Sequence, residues 1–105
     1  MKIKITARHF KAKDSLQTYI KNKLEDLHKF NENILFADVI LSFDKPPMEA
    51  KYCEIIVKLK EKIITAKESS DDFSKAVDLA AEKIEIQLYK HIDKVKRKKT
   101  SKIKE

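Results

Sequence analysis

The sequence lacks glycine altogether and contains one cysteine and two prolines among its 105 residues. Without glycine it can form none of the glycine-rich loops that cradle phosphate in P-loop and dinucleotide-binding proteins. Its turns are therefore predicted to use Asn, Asp, Ser and Pro. The single cysteine, Cys53, excludes an internal disulfide and a metal site built from several cysteines, and it suits a reducing compartment.

Long apolar runs are missing as well. No stretch approaches the roughly 18 apolar residues of a membrane helix, and the N-terminus lacks the apolar core of a signal peptide. We therefore expect a cytoplasmic protein. The length suits one domain with a modest core, and the composition of 42% hydrophobic and 39% charged residues predicts a heavily charged surface around it.

The formal net charge of +7 is concentrated at the C-terminal end. Residues 89–105 contain eight lysines and arginines but only two acidic residues, so they carry most of the excess. The dipole of a helix accounts for one or two cations in its last turn, which is far fewer than eight. The block indicates a polyanionic partner, for which nucleic acid is the commonest candidate.

The spacing of apolar residues predicts six elements. The predicted strands are 1–6, 34–43, 52–60 and 63–67, and the predicted helices are 15–30 and 72–99. Because every strand alternates, one face of the sheet should be buried beneath the helices. We predict an α+β fold, a β-α-β-β-β-α two-layer sandwich with a four-stranded sheet and two helices packed on one face. Residues 1–99 form the predicted domain and residues 100–105 a basic, disordered tail.

The second predicted helix carries two stripes on neighbouring faces. The apolar stripe, predicted to pack on the core, comprises Phe73, Val77, Ala80, Ile84, Leu88 and Val95. The polar stripe comprises Lys83, Gln87, Lys90, Lys94 and Arg97. This pattern predicts a helix that packs with one face and presents a ladder of positive charge with the next.

Lys23 interrupts the apolar stripe of the first predicted helix. Its methylene stem can lie along the edge of the core while its amine reaches water. Its amine can equally lie in a groove beside the second helix and contact a ligand there. The sequence leaves both interpretations open.

Residues with catalytic or metal-binding chemistry do not cluster along the chain. His9, His28 and His91 lie on different elements without the spacing of metal ligands. No glycine-flanked nucleophilic serine is present, and Cys53 alternates with apolar residues as a core residue does. His91 is interpreted as a boundary residue or a phosphate contact. We predict a protein that is not an enzyme and uses no cofactor or metal.

The order of elements excludes two common classes of nucleic-acid-binding domain. Three strands separate the two helices, which argues against a helix-turn-helix. The paired sheet aromatics of an RRM are missing. Lysines and arginines carried on helices favour recognition of the backbone and shape of structured RNA.

Short motifs in both halves of the chain form a combined pattern. They are Lys4-Ile5-Thr6, Asp14-Ser15-Leu16, Lys23-Leu24, Asp72-Phe73, Ala76-Val77-Asp78, Lys83-Ile84, Gln87-Leu88, Lys90-His91 and Asp93-Lys94. The pattern spans residues 2–99 and resembles that of bacterial ribosome hibernation-promoting factors and ribosome-associated inhibitors. It resembles their short form, which lacks the separate C-terminal domain that pairs ribosomes.

The resemblance implies the same β-α-β-β-β-α fold and binding to the small ribosomal subunit. Family members occupy the channel between head and body, over the sites of messenger RNA and of A- and P-site tRNA, and block translation in starved or stationary-phase cells. The implied partner is ribosomal RNA, with no membrane, no small-molecule substrate and a monomer off the ribosome. A general binder of structured or double-stranded RNA is the alternative.

The resemblance places RNA contacts on both helices, with residues 96–99 extending the basic stripe. Together with the polar stripe and His91, the predicted RNA-binding residues are Lys23, Lys29, Lys83, Gln87, Lys90, His91, Lys94, Arg97 and Lys98. Ile86 and Ile92 depart from the family pattern, because they stand where basic residues are common. Ile86 falls inside the polar stripe, so one phosphate contact is predicted to be missing there.

Overall fold

The computed structural model describes the backbone of residues 1–30 and 34–104 and the side chains of residues 1–28 and 34–91. Its elements are β1 (Lys2–Ala7), α1 (Asp14–Phe30), β2 (Ile34–Phe43), β3 (Lys51–Leu59), β4 (Ile63–Ser70) and α2 (Phe73–Lys104). The predicted order and fold class are confirmed.

The four strands form one mixed sheet in the order β1-β2-β3-β4. β1 and β2 run parallel, because α1 carries the chain back across the sheet between them, and the two later pairs are antiparallel. A three-residue turn joins β3 to β4 and is closed by a hydrogen bond of 2.8 Å from the amide of Leu59 to the carbonyl of Lys62. β1 and β4 are therefore the edge strands.

Both helices pack on the same face of the sheet, as predicted. α2 lies on β3 and β4, and α1 lies beside α2 and β1. The residues beneath them alternate along each strand and are almost fully buried; on the two central strands they are Ala37, Val39, Leu41, Cys53, Ile55, Val57 and Leu59. The opposite face of the sheet is left to solvent, because side chains at successive positions point to opposite sides.

The apolar stripe of α2 supplies the other half of the core. Val77, Ala80, Ile84 and Leu88 are each at most 1% exposed, so the helical spacing identified them correctly. Phe73 is half-buried and stacks on Phe10 with the ring centres 5.0 Å apart. Val95 lies outside the described side chains.

Two element ends differ from the predictions by more than one residue. β4 continues to Ser70 instead of ending at Lys67, and α2 continues to Lys104 instead of ending at Lys99. The residue propensities of the sequence mark neither of these ends. Hydrogen-bonded pairing with β3 extends β4, and α2 contains no proline or glycine that would end the helix earlier. The division at residue 99 into a domain and a disordered tail stays a prediction, since the side chains beyond His91 lie outside the described part.

The expectation about turns was incomplete. His9 and Glu49 adopt positive φ angles of 66° and 50°, and neither belongs to the four residue types expected to make the turns. A left-handed backbone costs a residue with a Cβ about 1 kcal/mol or more, which is why glycine usually occupies such positions. In a chain without glycine, these two residues adopt the left-handed conformation at loop positions between elements.

Candidate nucleic-acid interface

One flank of α2 is hydrogen-bonded to the edge of the sheet through Gln87 and His91, and we call it the fastened flank. The side-chain amide of Gln87 donates a hydrogen bond of 2.8 Å to the backbone carbonyl of Thr65 on β4. One turn further on, the Nε2–H of His91 donates to the carboxylate of Glu61 in the turn before β4. The flank that bears Gln87 and His91 therefore lies along β4, on the side of α2 away from α1.

Two lysines lie next to this fastened flank and are exposed. Lys83 precedes Gln87 by four residues and Lys90 follows it by three, which places all three on one side of the helix. We call Lys83 and Lys90 the α2 lysine pair. Both lysine side chains are exposed to solvent, while Gln87 and His91 hold this part of the helix against the sheet. The pair therefore forms a positively charged surface on a fixed part of α2.

The opposite flank of α2 faces α1 and is acidic. A groove of about 270 Å³ between the helices is lined by Lys23, Asp26, Leu27, Asp78, Ala81, Glu82 and Glu85. Four of these residues are carboxylates and one is a cation, so the groove repels phosphate. The spacing of Asp78, Glu82 and Glu85 at i, i+4 and i+7 indicates one helical face, and this signal in the sequence was missed.

Lys23 lies in the acidic groove, and its amine is bound there. The ammonium of Lys23 is 3.3 Å from the carboxylate of Asp78, and both side chains remain partly exposed. The hydrogen bond to Asp78 raises the pKa of Lys23 above its ordinary value, so the amine is firmly protonated. Of the two interpretations of Lys23, the structure supports the one that places its amine beside α2, although its partner there is a carboxylate.

The structure therefore does not bring Lys23 together with the α2 lysine pair. Asp78 and Gln87 are nine residues apart, which at about 100° per residue places them on opposite flanks of α2. Lys23 is bound on the first flank and the lysine pair lies by the second. A continuous cationic surface from α1 across to Lys83 would have to cross the acidic groove.

The remaining predicted contacts differ in what can be said of them. Gln87 and His91 have polar partners on the sheet side, which gives both a positioning role for the helix. The hydrogen bond from His91 lowers the pKa of Glu61 below its ordinary value. The side chains of Lys29, Lys94, Arg97 and Lys98 lie outside the described residues, although the helical backbone of α2 extends past the last three of them.

The chemistry outside this interface is limited in the described part of the chain. Cys53 is buried beneath the helices, and burial raises the pKa of its thiol to about 12, so it stays protonated and unreactive. Among the described residues, no three His, Cys, Asp or Glu side chains come close enough to hold a metal ion. None of the described helices combines the length and apolar character needed to cross a membrane.

Sequence reasoning also missed an aromatic cluster at the end of the sandwich where α2 begins. Phe10 packs edge-on against Phe43 with ring centres 5.5 Å apart and stacks on Phe73. The three rings line a cavity of about 380 Å³ together with residues of the β2–β3 loop. The rings come from three separate segments, so no spacing within one element could have revealed the cluster.

The fold and this interface define a class: a small β-α-β-β-β-α sandwich whose last helix is fastened along one sheet edge and bears exposed lysines beside that edge. The sequence pattern of the family "Sigma 54 modulation protein / S30EA ribosomal protein" matches residues 3–96, and the chain belongs to this family. The resemblance inferred from the motifs is thereby confirmed.

Individual proteins similar to this chain support its membership in the family. The chain is 26% identical over 94 residues to the ribosome hibernation promoting factor of Azotobacter vinelandii, and the match covers 90% of this chain and 85% of that protein. It is similar to a solved ribosomal subunit interface protein from Coxiella burnetii, with a TM-score of 0.81, 29% identity and coverage of 89% and 99% of the two chains. The N-terminal domain of Protein Y from Thermus thermophilus gives a TM-score of 0.77 with 27% identity, covering 87% and 99%.

Proposed function

We propose that this protein is a ribosome hibernation factor that inhibits translation by binding small-subunit ribosomal RNA. The observation that carries the proposal is the position of the α2 lysine pair. Lys83 and Lys90 are exposed beside the fastened flank of α2, away from the acidic groove. Membership in the S30EA family and similarity to a ribosome hibernation promoting factor and a ribosomal subunit interface protein support the choice of the ribosome as partner.

Binding on this proposal proceeds by neutralisation of phosphates. The lysine pair supplies the first contacts, and Lys94, Arg97 and Lys98 continue along the same helix. Each phosphate contact releases condensed counterions, so affinity depends steeply on salt. The acidic groove must face away from RNA, which restricts the bound orientation to the β4 side of α2.

The other predicted contacts play smaller parts. Lys23 reaches RNA only by exchanging the carboxylate of Asp78 for a phosphate, so its net gain is smaller than that of Lys83. Gln87 and His91 contribute chiefly by holding the lysine pair in place. Lys29 follows Lys23 on α1 and is proposed as a peripheral contact.

The inhibitory action requires no chemical step. A domain bound in the decoding channel, over the positions of messenger RNA and of A- and P-site tRNA, blocks translation by occupying space. The proposal therefore describes a non-enzymatic, cytoplasmic protein that is monomeric off the ribosome and acts in starved or stationary-phase cells. The similarity to a ribosome hibernation promoting factor supports this mode of action.

Co-sedimentation with ribosomes across a salt series tests the proposal. Six phosphate contacts predict a loss of affinity of about a thousandfold between about 50 and 200 mM salt. The double variant Lys83→Glu/Lys90→Glu should abolish binding while its circular dichroism stays unchanged, because both side chains are exposed. Absence of co-sedimentation by the unmodified protein even at low salt would overturn the proposal.

A matched control reverses the same amount of charge elsewhere. Lys13 and Lys45 are exposed at the end of the sandwich where α2 begins, about 25 Å along the helix from Lys90 at 1.5 Å per residue. The double variant Lys13→Glu/Lys45→Glu should retain most of the ribosome binding. Competition with naked duplex RNA separates the alternative, since a general RNA-binding domain would be displaced by it as readily as by ribosomes.

A further inference from the structure

The face of the sheet opposite the helices presents an exposed aromatic ring between two lysines. Pairing in register places Phe36 on β2 beside Lys2 on β1 and beside Lys58 on β3. Residues paired across neighbouring strands point to the same side of the sheet, so the three side chains form one row. Phe36 remains 37% exposed in the second strand of the sheet, where a ring of this size would ordinarily be covered.

The alternation of β2 places Phe36 on this face, because the next residue, Ala37, is buried beneath the helices. The register with β3 shifts between Ile34 and Phe36, so Ile34 stays buried while Leu35 also turns toward solvent. Ile63 continues the same row on β4 opposite Lys58 and is 56% exposed. Phe36 and Ile63 form an apolar platform, with Lys2 and Lys58 on either side of the Phe36 ring. We call this surface the sheet platform.

The charges elsewhere on this face are compensated, whereas those of the platform are not. Lys4 on β1 is paired in register with Asp38, and Lys67 on β4 is paired with Glu54. Lys2 and Lys58 have Phe36 as their cross-strand neighbour and no carboxylate paired with them in register. The unbalanced positive charge of the open face therefore coincides with its exposed ring.

We infer that the sheet platform is a second nucleic-acid site, distinct from the α2 lysine pair, that binds single-stranded RNA. A base stacks on Phe36, and the phosphates on either side of it meet Lys2 and Lys58. An aromatic ring within a cationic track is the arrangement by which proteins hold unpaired strands without reading sequence. A duplex offers no free base face to the ring, so the site discriminates against it.

The same charges disfavour a second copy of the chain as the occupant. In a symmetric dimer each surface meets itself, so Lys2 and Lys58 of both copies would be brought into one desolvated interface. Like charges at that separation repel, and the platform offers no carboxylate in its row to relieve them. A polyanion with exposed rings fits both the charge and the apolar area.

A single tryptophan reports on the site, because the chain contains none of its own. The variant Phe36→Trp keeps a stacking ring and places the only indole at the platform. Titration with oligo-uridylate of about 12 nucleotides, within the usual site size of single-strand binders, should quench its fluorescence to saturation. The corresponding variant Met48→Trp, in the exposed β2–β3 loop at the other end of β2, should show a much smaller change.

Affinity measured by anisotropy of the labelled oligonucleotide gives the second readout. Phe36→Leu keeps the site apolar but removes stacking, and it should weaken binding about tenfold. Lys2→Gln/Lys58→Gln should lower the slope of log affinity against log salt by about 1.4, the value for two contacts to a single strand. Lys83→Gln/Lys90→Gln should leave the quenching of Trp in Phe36→Trp intact, so the outcome does not depend on the ribosome-binding role proposed for α2.

Several outcomes would overturn the inference. Binding of the oligonucleotide without quenching in Phe36→Trp would place the RNA elsewhere, and failure of the unmodified protein to bind it at low salt would remove the site. Equal affinity of Phe36→Leu and the unmodified protein would exclude stacking. Quenching that depends on protein concentration without RNA would assign the platform to self-association.

Discussion

The ammonium of Lys23 on α1 lies 3.3 Å from the carboxylate of Asp78 on α2. The same carboxylate oxygen accepts a hydrogen bond from the hydroxyl of Tyr19, one turn before Lys23 on α1. The Lys23 amine also lies 5.8 Å from the centre of the Tyr19 ring. Asp78 of α2 therefore binds two successive turns of α1. This contact lies on the flank of α2 that faces α1, opposite the flank beside which Lys83 and Lys90 lie.

A double-mutant cycle should detect this link. Replacing Lys23 by Met and Asp78 by Asn, singly and together, is expected to give a coupling free energy of about 0.2–1 kcal/mol, the range for partly exposed ion pairs. The value stays modest because the two side chains are 39% and 45% exposed. Urea unfolding measures it, and about 1 M salt should reduce it by screening.

Lys21 provides the control for that cycle. It is an exposed lysine on α1, two residues from Lys23 and therefore pointing to a different side of the helix. Lys21→Met combined with Asp78→Asn should show no coupling beyond error. Equal coupling at both lysines would mean that Asp78 acts through general charge balance and has no specific link to Lys23.

Two isoleucines of α2 should respond very differently to truncation. Ile84 is fully buried between α2 and the sheet, whereas Ile86 is 43% exposed. Ile84→Ala should lower the free energy of unfolding by about 2–5 kcal/mol, because it removes buried methyl groups and leaves a cavity. Ile86→Ala should stay within about 0.5 kcal/mol of the unmodified protein.

Urea denaturation of both variants checks this pair. The two substitutions are chemically identical and lie two residues apart on one helix, so differences in helix propensity cancel between them. A large loss of stability in Ile86→Ala would show that its side chain has a packing partner, and it would contradict the assignment of that position to the exposed side.

The contrast between Ile84 and Ile86 shows how far sequence reasoning reached. Periodicity of 3.6 on α2 and of 2 on the strands identified Ile84, Val77 and Cys53 as core residues, since burial follows directly from which face is apolar. The element order and fold class followed from the same patterns. These features depend on local geometry alone.

The features that were missed depend on how elements meet. Leu35 faces solvent because β2 shifts its register between Ile34 and Phe36, and a register is not visible in one strand. Lys23 faces Asp78 because of the way α1 packs on α2. The sequence supplied both charges, but it could not say that they would neutralise each other instead of meeting RNA.

The pairing of Glu61 with His91 predicts a dependence of stability on pH. The hydrogen bond from His91 lowers the pKa of Glu61 in the folded protein. Its contribution to stability is present above about pH 4.3, the ordinary pKa of glutamate, and is lost as the pH falls through the lower folded value. NMR titration of the Glu61 carboxyl group should show the depressed pKa, and His91→Phe should return it toward the ordinary range.

The variant Glu61→Gln completes this test. It removes the titrating group, so unfolding free energy should fall less steeply with decreasing pH in that acidic range than it does for the unmodified protein. Backbone amides of α2 next to His91 should also exchange faster with solvent, because a neutral amide oxygen accepts the hydrogen bond from His91 more weakly than a carboxylate does. Unchanged pH dependence would mean that the pair contributes nothing to folding.

Ile86 offers a test that joins the proposed ribosome binding to the structure. The resemblance described above implies a basic residue at the position of Ile86, and the Ile86 side chain is 43% exposed on α2, which leaves room for a longer one. Ile86→Arg should therefore add one phosphate contact, tighten ribosome binding, and steepen the slope of log affinity against log salt by about 0.7–0.9. Met48→Arg adds the same charge at a site 74% exposed in the β2–β3 loop, far from the lysine pair, and should change neither quantity appreciably. If Ile86→Arg instead weakened binding while Met48→Arg did not, the β4 side of α2 would meet its partner through apolar contact at this position, and phosphate neutralisation would be restricted to the lysines around it.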